Sequence, residues 1–146
     1  GSKENLFQEV SQYYIDTYAT VTEALWDNTL SAKDAIALAL QQSLDMQYDP
    51  SHPLGCMVAL STVLAPSAEN QHVTEILQQS RHKTRQGFIQ TLQRGIESGE
   101  ISTDIDSIGL ATIFDSFLIG ISSLARDHVK KTDIEYGISK LLKLLE

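Results

Sequence analysis

The sequence has little cysteine and lacks a recognisable leader. Its single cysteine, Cys56, excludes an internal disulfide. That fits a reducing compartment, so we expect a cytoplasmic location. The first residues are too polar and acidic for a signal peptide, and no apolar run is expected to reach the length of a membrane span. The sequence therefore predicts no membrane partner.

Basic residues are also scarce relative to acidic ones. The chain carries 11 lysines and arginines against 19 aspartates and glutamates, a net charge of −8. Such a surface does not bind nucleic acid in general, although a basic segment elsewhere in the same protein could. The length of 146 residues, with 42% hydrophobic and 21% charged residues, indicates one globular domain with its own core.

Motifs for catalysis and cofactor binding are missing. There is no nucleophile elbow, no phosphate-binding glycine loop and no dinucleotide fingerprint, so we predict neither catalytic residues nor a cofactor. Glu69 and His72 have the spacing of a di-iron pair, but a di-iron site needs a second pair. His52, His82 and His128 lack zinc-site spacing and are interpreted as surface or loop residues, so no metal is predicted. A helical-bundle enzyme or metal protein remains an alternative that bound iron or manganese would support.

Hydrophobic periodicity predicts an all-α fold of six helices. Ser2 and Ser31 are predicted N-caps of the first two helices, and Gly99 is predicted to end the fourth. Capping motifs at residues 103–106 and 132–135 are predicted to open the last two. The predicted helices span residues 3–27, 31–48, 54–64, 68–98, 103–128 and 132–145.

The fifth helix is apolar around nearly its full circumference, which predicts that it buries a second face against another chain. The last two helices of two copies would then form a four-helix homodimer interface. The alternative is that the same chain covers this surface. The predicted interface residues are Ile113, Phe117, Ile121, Leu124, Ile138 and Leu142.

Aromatic and methionine side chains come from long helices that are expected to converge. They could line a cavity for a small, mostly apolar ligand between the first, fourth and fifth helices, or they could simply fill the core. The predicted ligand contacts are Tyr14, Tyr18, Trp26, Met57, Phe88 and Phe114. Replacing Trp26 or Phe88 by alanine is predicted to weaken the response to an effector and to leave the dimer intact.

Several short segments share a resemblance. Ser2-Lys3-Glu4-x-Leu6-Phe7 resembles the segment that closes the helix-turn-helix of tetracycline-repressor-like (TetR/AcrR) regulators. A lysine in the first turn of a helix opposes the helix dipole unless an anion such as a DNA phosphate lies nearby. Segments 52–57, 96–101 and 120–126 resemble later elements of the same family in the expected order.

The resemblance implies a six-helix TetR-like regulatory domain from a homodimeric regulator, more often a repressor than an activator. Residues 1–146 would be the C-terminal effector-binding and dimerisation domain, and residues 1–10 a remnant of the junction with an absent helix-turn-helix. A small-molecule effector and operator DNA are the implied partners, and Lys3 is the implied phosphate contact. A helical protein-interaction module without a small-molecule ligand is the alternative.

Overall fold

The computed structural model describes residues 1–64, 67–68 and 70–146, without the side chain of Val73, and in this part the chain is all helical. The predicted all-α class is confirmed, with six α-helices and no strand among the described residues. Glu69, one of the two residues with di-iron spacing, lies outside the described part. The helices are α1 (Lys3–Tyr18), α2 (Ala32–Tyr48), α3 (Met57–Leu60), α4 (Gln71–Glu97), α5 (Ser107–Arg126) and α6 (Lys131–Leu141).

The first predicted helix is two different helices in the structure. Ser2 caps α1 as expected, since its Oγ accepts a hydrogen bond from the N–H of Asn5 at 3.1 Å. The α-helix ends at Tyr18, however, and a 3₁₀ helix continues over Ala19–Trp26. This segment contains the β-branched run 20–22, which lowers α-helix propensity. The predicted end at residue 27 therefore matches the end of the 3₁₀ helix at Trp26 to within one residue, and not the end of α1.

Helix α2 occupies the centre of the molecule. It contacts the 3₁₀ segment, α4, α5 and α6, and its residues Ile36, Ala39 and Leu40 are fully buried. The predicted cap is confirmed, because Ser31 Oγ accepts from the N–H of Asp34 at 3.1 Å. The carboxylate of Glu100 adds a second cap from a distant part of the chain. The 3₁₀ segment, α4, α5 and α6 thus pack around one central, buried helix.

Helix α3 is shorter than predicted. Gly55 has a φ of +89°, a left-handed conformation that an α-helix cannot include, and the helix begins only at Met57. A 3₁₀ turn over Ser61–Val63 follows it. Helix α4 begins at Gln71, three residues after the predicted start, and ends one residue before the predicted end. Gly99, with a φ of +77°, follows as the expected terminator.

The last two helices begin differently from the prediction. Asp106 is itself the N-cap of α5 and accepts from the N–H of Ile108 at 3.0 Å, so the helix does not start at residue 103. Helix α6 starts at Lys131 without a side-chain cap, and the predicted capping box at 132–135 is wrong. Glu135 lies instead 3.9 Å from Lys131 Nζ as an i,i+4 ion pair. A 3₁₀ turn over Leu142–Leu145 ends the chain.

By length and composition alone, α5 could cross a membrane, so the expectation that no segment reaches this length is wrong. One such helix is weak evidence for a span, because a core helix passes the same test. The inward face of α5 supplies Leu110, Phe114 and Ile121 to the core, which accounts for much of its apolar composition.

Candidate ligand-binding cavity

A cavity of about 70 Å³ lies where α1, the 3₁₀ segment 19–26, α2, α3, α4 and α5 converge. The predicted cavity lay between the first, fourth and fifth helices. The observed cavity lies between these helices and also contacts α2 and α3. Most of the wall is apolar, and a few polar groups interrupt it, as is common in small-molecule sites. The apolar part consists of Ala19, Val21, Met46, Val58, Ala59, Leu118, Ile119 and Ile121.

Two of the six predicted ligand contacts lie on this wall. Tyr14 and Tyr18 reach it from the last turns of α1, with their ring centroids 4.8 Å apart. Phe88 and Phe114 instead stack on each other in the core, with centroids 5.9 Å apart, and both are fully buried. Their helical period identified the buried face correctly, but it did not identify the neighbours on that face.

Trp26 and Met57 are also absent from the lining of this cavity. Trp26 borders two surface grooves on the other side of the 3₁₀ segment. Phe88→Ala would therefore not be a selective test of effector response, and the response itself stays a prediction. Removing a fully buried phenylalanine costs about 3–5 kcal/mol of stability, and that loss would affect the whole fold.

Tyr14 belongs to a small polar cluster at the edge of the cavity. Its hydroxyl lies 2.9 Å from Nε2 of His52, and the rings of Tyr18 and His52 meet edge to face at 4.6 Å. Burial raises the pKa of Tyr14, and the nearby Cys56 thiol raises it further. Burial lowers the pKa of His52. Both groups are thus neutral near pH 7, and the cluster attaches the loop before α3 to α1.

His52 lies in a loop, as expected, but it is buried rather than on the surface. The next part of this loop is fixed to α5, because the N–H of Cys56 donates to Ser122 Oγ at 2.6 Å. The loop therefore connects α1 to α5 through hydrogen bonds on either side of Gly55.

Two charged side chains of opposite sign line the cavity. Asp115 is buried, and one carboxylate oxygen accepts from Arg85 Nε at 2.8 Å. Arg81 donates through Nη1 to the carbonyl of Val58 at 2.9 Å and to Ser61 Oγ. Burial lowers the pKa of Arg81, and the charge of Arg85 lowers it further, while Asp115 opposes the shift. The two charged side chains on the wall therefore have opposite signs, and each already makes a hydrogen bond or ion pair.

Two residues of the wall carry buried side-chain oxygens that have no hydrogen-bond partner among the described residues. These atoms are Ser43 Oγ and Gln47 Oε1, which lie one turn apart on α2. An unsatisfied buried polar atom costs roughly 1–3 kcal/mol, so such atoms are uncommon in folded proteins.

These polar residues of the wall were not predicted from the sequence. For Asp115 a signal existed, since it is the only acidic residue within α5 and lies on its inward face between Phe114 and Leu118. A carboxylate in that position must find a partner or a function. For Ser43 and Gln47 no clear signal exists, because serine and glutamine are ordinary residues on a helix.

Among the described residues, no group of three or more His, Cys, Asp or Glu side chains could hold a metal ion. The expectation for the Glu69 and His72 pair lies outside the described residues, because these do not include Glu69.

Two solved structures resemble this chain over its whole length. Each has a TM-score of 0.86 and 27% sequence identity, and each comparison covers 100% of this chain and 76% of the other. Both are cysteine mutants of the TetR family transcriptional regulator CifR in complex with 26-bp double-strand operator DNA. The fold is that of TetR-family transcriptional regulators. No family model and no curated protein matches the sequence.

In this TetR-like fold, the outer face of α5 carries part of the predicted dimer interface. Ile113 is 47% exposed and Leu124 is 38% exposed on that face. Ile121 and Ile138 are only 1% and 4% exposed, so the prediction that they face a partner is wrong. Both side chains belong to the hydrophobic core of a single chain. Phe117 and Leu142 are partly buried and pack against that core.

Lys3, the predicted phosphate contact, is the exposed first residue of α1. Its side chain is available at the helix end where the TetR-like resemblance predicts DNA. No contact in the structure tests that role.

Proposed function

We propose that this chain is the effector-binding and dimerisation domain of a TetR-family transcriptional regulator that acts as a repressor. Its operator DNA would be read by a helix-turn-helix segment that precedes residue 1. The observation that carries the proposal is the similarity of the entire chain to regulators whose structures contain operator DNA. A regulator of this kind works in the cytoplasm, where a single free cysteine is stable.

The exposed face of α5 supports a homodimer. Ile113 and Leu124 are large apolar residues exposed to solvent on one face of this helix, and partly buried Phe117 lies between them. Exposed apolar surface can mark a contact with another molecule. A Cβ added at Gly120, on the same face, meets no atom of the described residues within 4 Å. A second α5 could therefore approach the first closely here, with α6 beside it, to form a four-helix interface.

The exposed face of α1 supports contact with a DNA-reading segment. Leu6, Val10 and Tyr13 are exposed on the first three turns of this helix. Residues 6, 10 and 13 share one helical face, so together they offer an apolar surface for further helices. Lys3, at the start of the same helix, would contact a DNA phosphate.

The cavity supports coupling between effector and DNA. Tyr14 and Tyr18 belong both to the cavity wall and to α1, so a bound molecule touches the helix that leads toward the DNA-reading segment. An effector that binds better to one position of α1 shifts the population toward that position. The two readers of the dimer would then change their separation on the operator.

The test is a chimera in which this chain follows the part of CifR that the structural comparison leaves unmatched. We expect this chimera to be a dimer and to shift the 26-bp operator DNA in a gel, because this chain supplies the dimerisation that two DNA half-sites require. The matched control is the same chimera with Gly120→Leu, which should fold but bind the operator much more weakly. A folded chimera that stays monomeric would contradict the proposal and would favour the interaction-module alternative.

A further inference from the structure

The charged side chains around the cavity carry more positive than negative charge. Arg81 and Asp115 line the cavity, and Asp115 is paired with Arg85, whose Nε lies 2.8 Å from a carboxylate oxygen. Arg81 itself has no carboxylate partner, because every ion pair among the described residues involves either Arg85 or Lys131. Two arginines thus surround one aspartate, which leaves a surplus positive charge in a chain whose net charge is −8.

The guanidinium group of Arg81 has donors left for a ligand. Its hydrogen bonds all come from Nη1, which donates to the carbonyl of Val58 at 2.9 Å and to Ser61 Oγ. Nε and Nη2 make no hydrogen bond within the described residues, yet neither belongs to the buried side-chain atoms that lack a partner. Both atoms therefore keep accessible surface. Because Val58 is itself on the cavity wall, its bond to Nη1 keeps the guanidinium group at this wall.

The surroundings of Arg81 disfavour its positive charge. Burial lowers the pKa of Arg81, the charge of Arg85 lowers it further, and the attraction of Asp115 only opposes this shift. Asp115 is the only carboxylate among the described residues of the wall. A cation in this setting gains stability when an anion arrives beside it.

The rest of the wall suits hydrocarbon. Val21 of the 3₁₀ segment, Met46 of α2, and Leu118 and Ile119 of α5 present apolar side chains to the cavity. Apolar groups gain free energy when they leave water for such a surface. An unpaired cation beside an apolar wall therefore matches a ligand that has one anionic end and an apolar body.

We propose that the effector is a monocarboxylate with a hydrocarbon body, whose carboxylate binds Nε and Nη2 of Arg81 and whose hydrocarbon packs against Met46 and Leu118. The planar guanidinium group can donate two parallel N–H bonds, which fit the two oxygens of a carboxylate. A second carboxylate on the same molecule would lose its hydration against the apolar wall, which is unfavourable. The inference rests on the proposed function, since it names the chemical class of that effector.

The test compares hexanoate with hexanamide, which have the same number of heavy atoms and the same shape but differ in charge. Binding to the whole chain at neutral pH is followed by NMR titration of the Met46 methyl signal, which reports from the cavity wall. Hydrogen bonds between charged groups are stronger than those of neutral groups, by enough for roughly a tenfold difference in affinity. We therefore expect hexanoate to bind about tenfold more tightly than hexanamide.

Three variants locate the source of this preference. Arg81→Met should abolish it, because the change removes the charge and both free donors but keeps a long side chain. Arg81→Lys should retain part of it, since an ammonium group supplies the charge without the planar pair of donors. Lys83→Met is the matched control and should leave the preference unchanged, because it removes the same charge from the same helix at a residue that does not line this cavity.

Equal binding of the two probes, no binding of either, or a preference that survives Arg81→Met would overturn the inference. The comparison in the unmodified chain needs no variant, so misfolding of a variant cannot hide the result. A chain that prefers hexanoate but stays monomeric would contradict the proposed function and leave the carboxylate site standing. A dimer without the preference would overturn the carboxylate site alone.

Discussion

At the scale of single residues, the structure places its unusual chemistry around one buried carboxylate. Asp115 lies among apolar side chains of α5 and is paired with Arg85, whose side chain is half exposed. Removing the arginine would leave a buried charge without a partner, and this costs more than the pair itself contributes. The pair therefore matters mainly because one member cannot be lost alone.

We predict that Arg85→Met lowers the free energy of unfolding by about 2 kcal/mol, a value reduced for the exposure of the arginine. Adding Asp115→Asn should restore at least half of that loss, because the uncompensated charge is removed. Urea denaturation of the two variants measures both effects. Lys83→Met, an exposed change on the same helix, is the control and should have little effect. An equal loss in the single and double variants would show that the charge is not the cause.

The sequence indicated which residues are buried more reliably than which ones meet. The helical period placed Phe88, Phe114 and Tyr14 on inward faces, and all three are at least partly buried. It could not show that two of them stack in the core while Tyr14 borders the cavity, because that depends on how helices cross. The apolar pattern around nearly the full circumference of α5 similarly could not show that Ile121 is buried within one chain.

At the scale of elements, long-range capping holds the helices in place. Both carboxylate oxygens of Glu100 accept backbone N–H groups at the start of α2, from Ala32 at 2.8 Å and Lys33 at 2.8 Å. Burial raises the pKa of Glu100, but these hydrogen bonds outweigh it and hold the pKa below its ordinary value of 4.5. The turn after α4 is thereby fastened to the central helix.

We predict that Glu100→Gln lowers the free energy of unfolding by about 1 kcal/mol at neutral pH, the usual value of a helix N-cap. The folded-state pKa is lowered, so this stabilisation is present above pH 4.5 and is lost as the pH falls through the lower folded-state value. The difference between the variant and the parent chain should therefore shrink in acid. Thermal unfolding over a pH series measures it, with exposed Glu97→Gln as the control. A difference that stays constant with pH would contradict the role of the carboxylate.

The sequence predicted element ends well where the signal is local. Ser31 and Gly99 act through their own side chain or backbone, and both mark helix ends as predicted. At residues 103–106 two capping residues, Thr103 and Asp106, allowed two starting points, and Asp106 is the N-cap. Helix α6 starts after Lys130 without a side-chain cap, so no capping motif marks its start. The β-branched run 20–22 is a local signal for the change to a 3₁₀ helix after Tyr18, but a long-range contact also holds this segment, since Thr91 of α4 donates to the carbonyl of Leu25 at 2.7 Å. No local pattern contains that contact.

At the scale of the whole molecule, the proposed dimer depends on the outer face of α5, which the described part of a single chain leaves exposed. The exposed apolar residues on the outer face of α5 and the open space at Gly120 among the described residues support the proposed second copy of the chain. The cavity lies on the opposite face of α5, so effector binding and dimerisation would use different sides of one helix.

We predict that the chain is a dimer and that Gly120→Leu converts it to a monomer. The added side chain has free space in a single chain and improves helix propensity, so the fold should remain as stable as before. It would clash only with a closely packed partner helix. Sedimentation equilibrium measures the mass of the particle in solution. Gln90→Leu, at an exposed position of α4, is the control for an added apolar group. A variant that remains dimeric would place the interface elsewhere.

The central claim is that these residues form the sensing part of a DNA-binding regulator. The most direct test is the intact mass and N-terminal sequence of the protein as its own gene expresses it. The account predicts a product several kilodaltons heavier than 16.2 kDa, with a basic helix-turn-helix ahead of Ser2. A native product that begins at or near residue 1 would contradict the claim, because an acidic helical protein without a DNA reader could not act on an operator by itself.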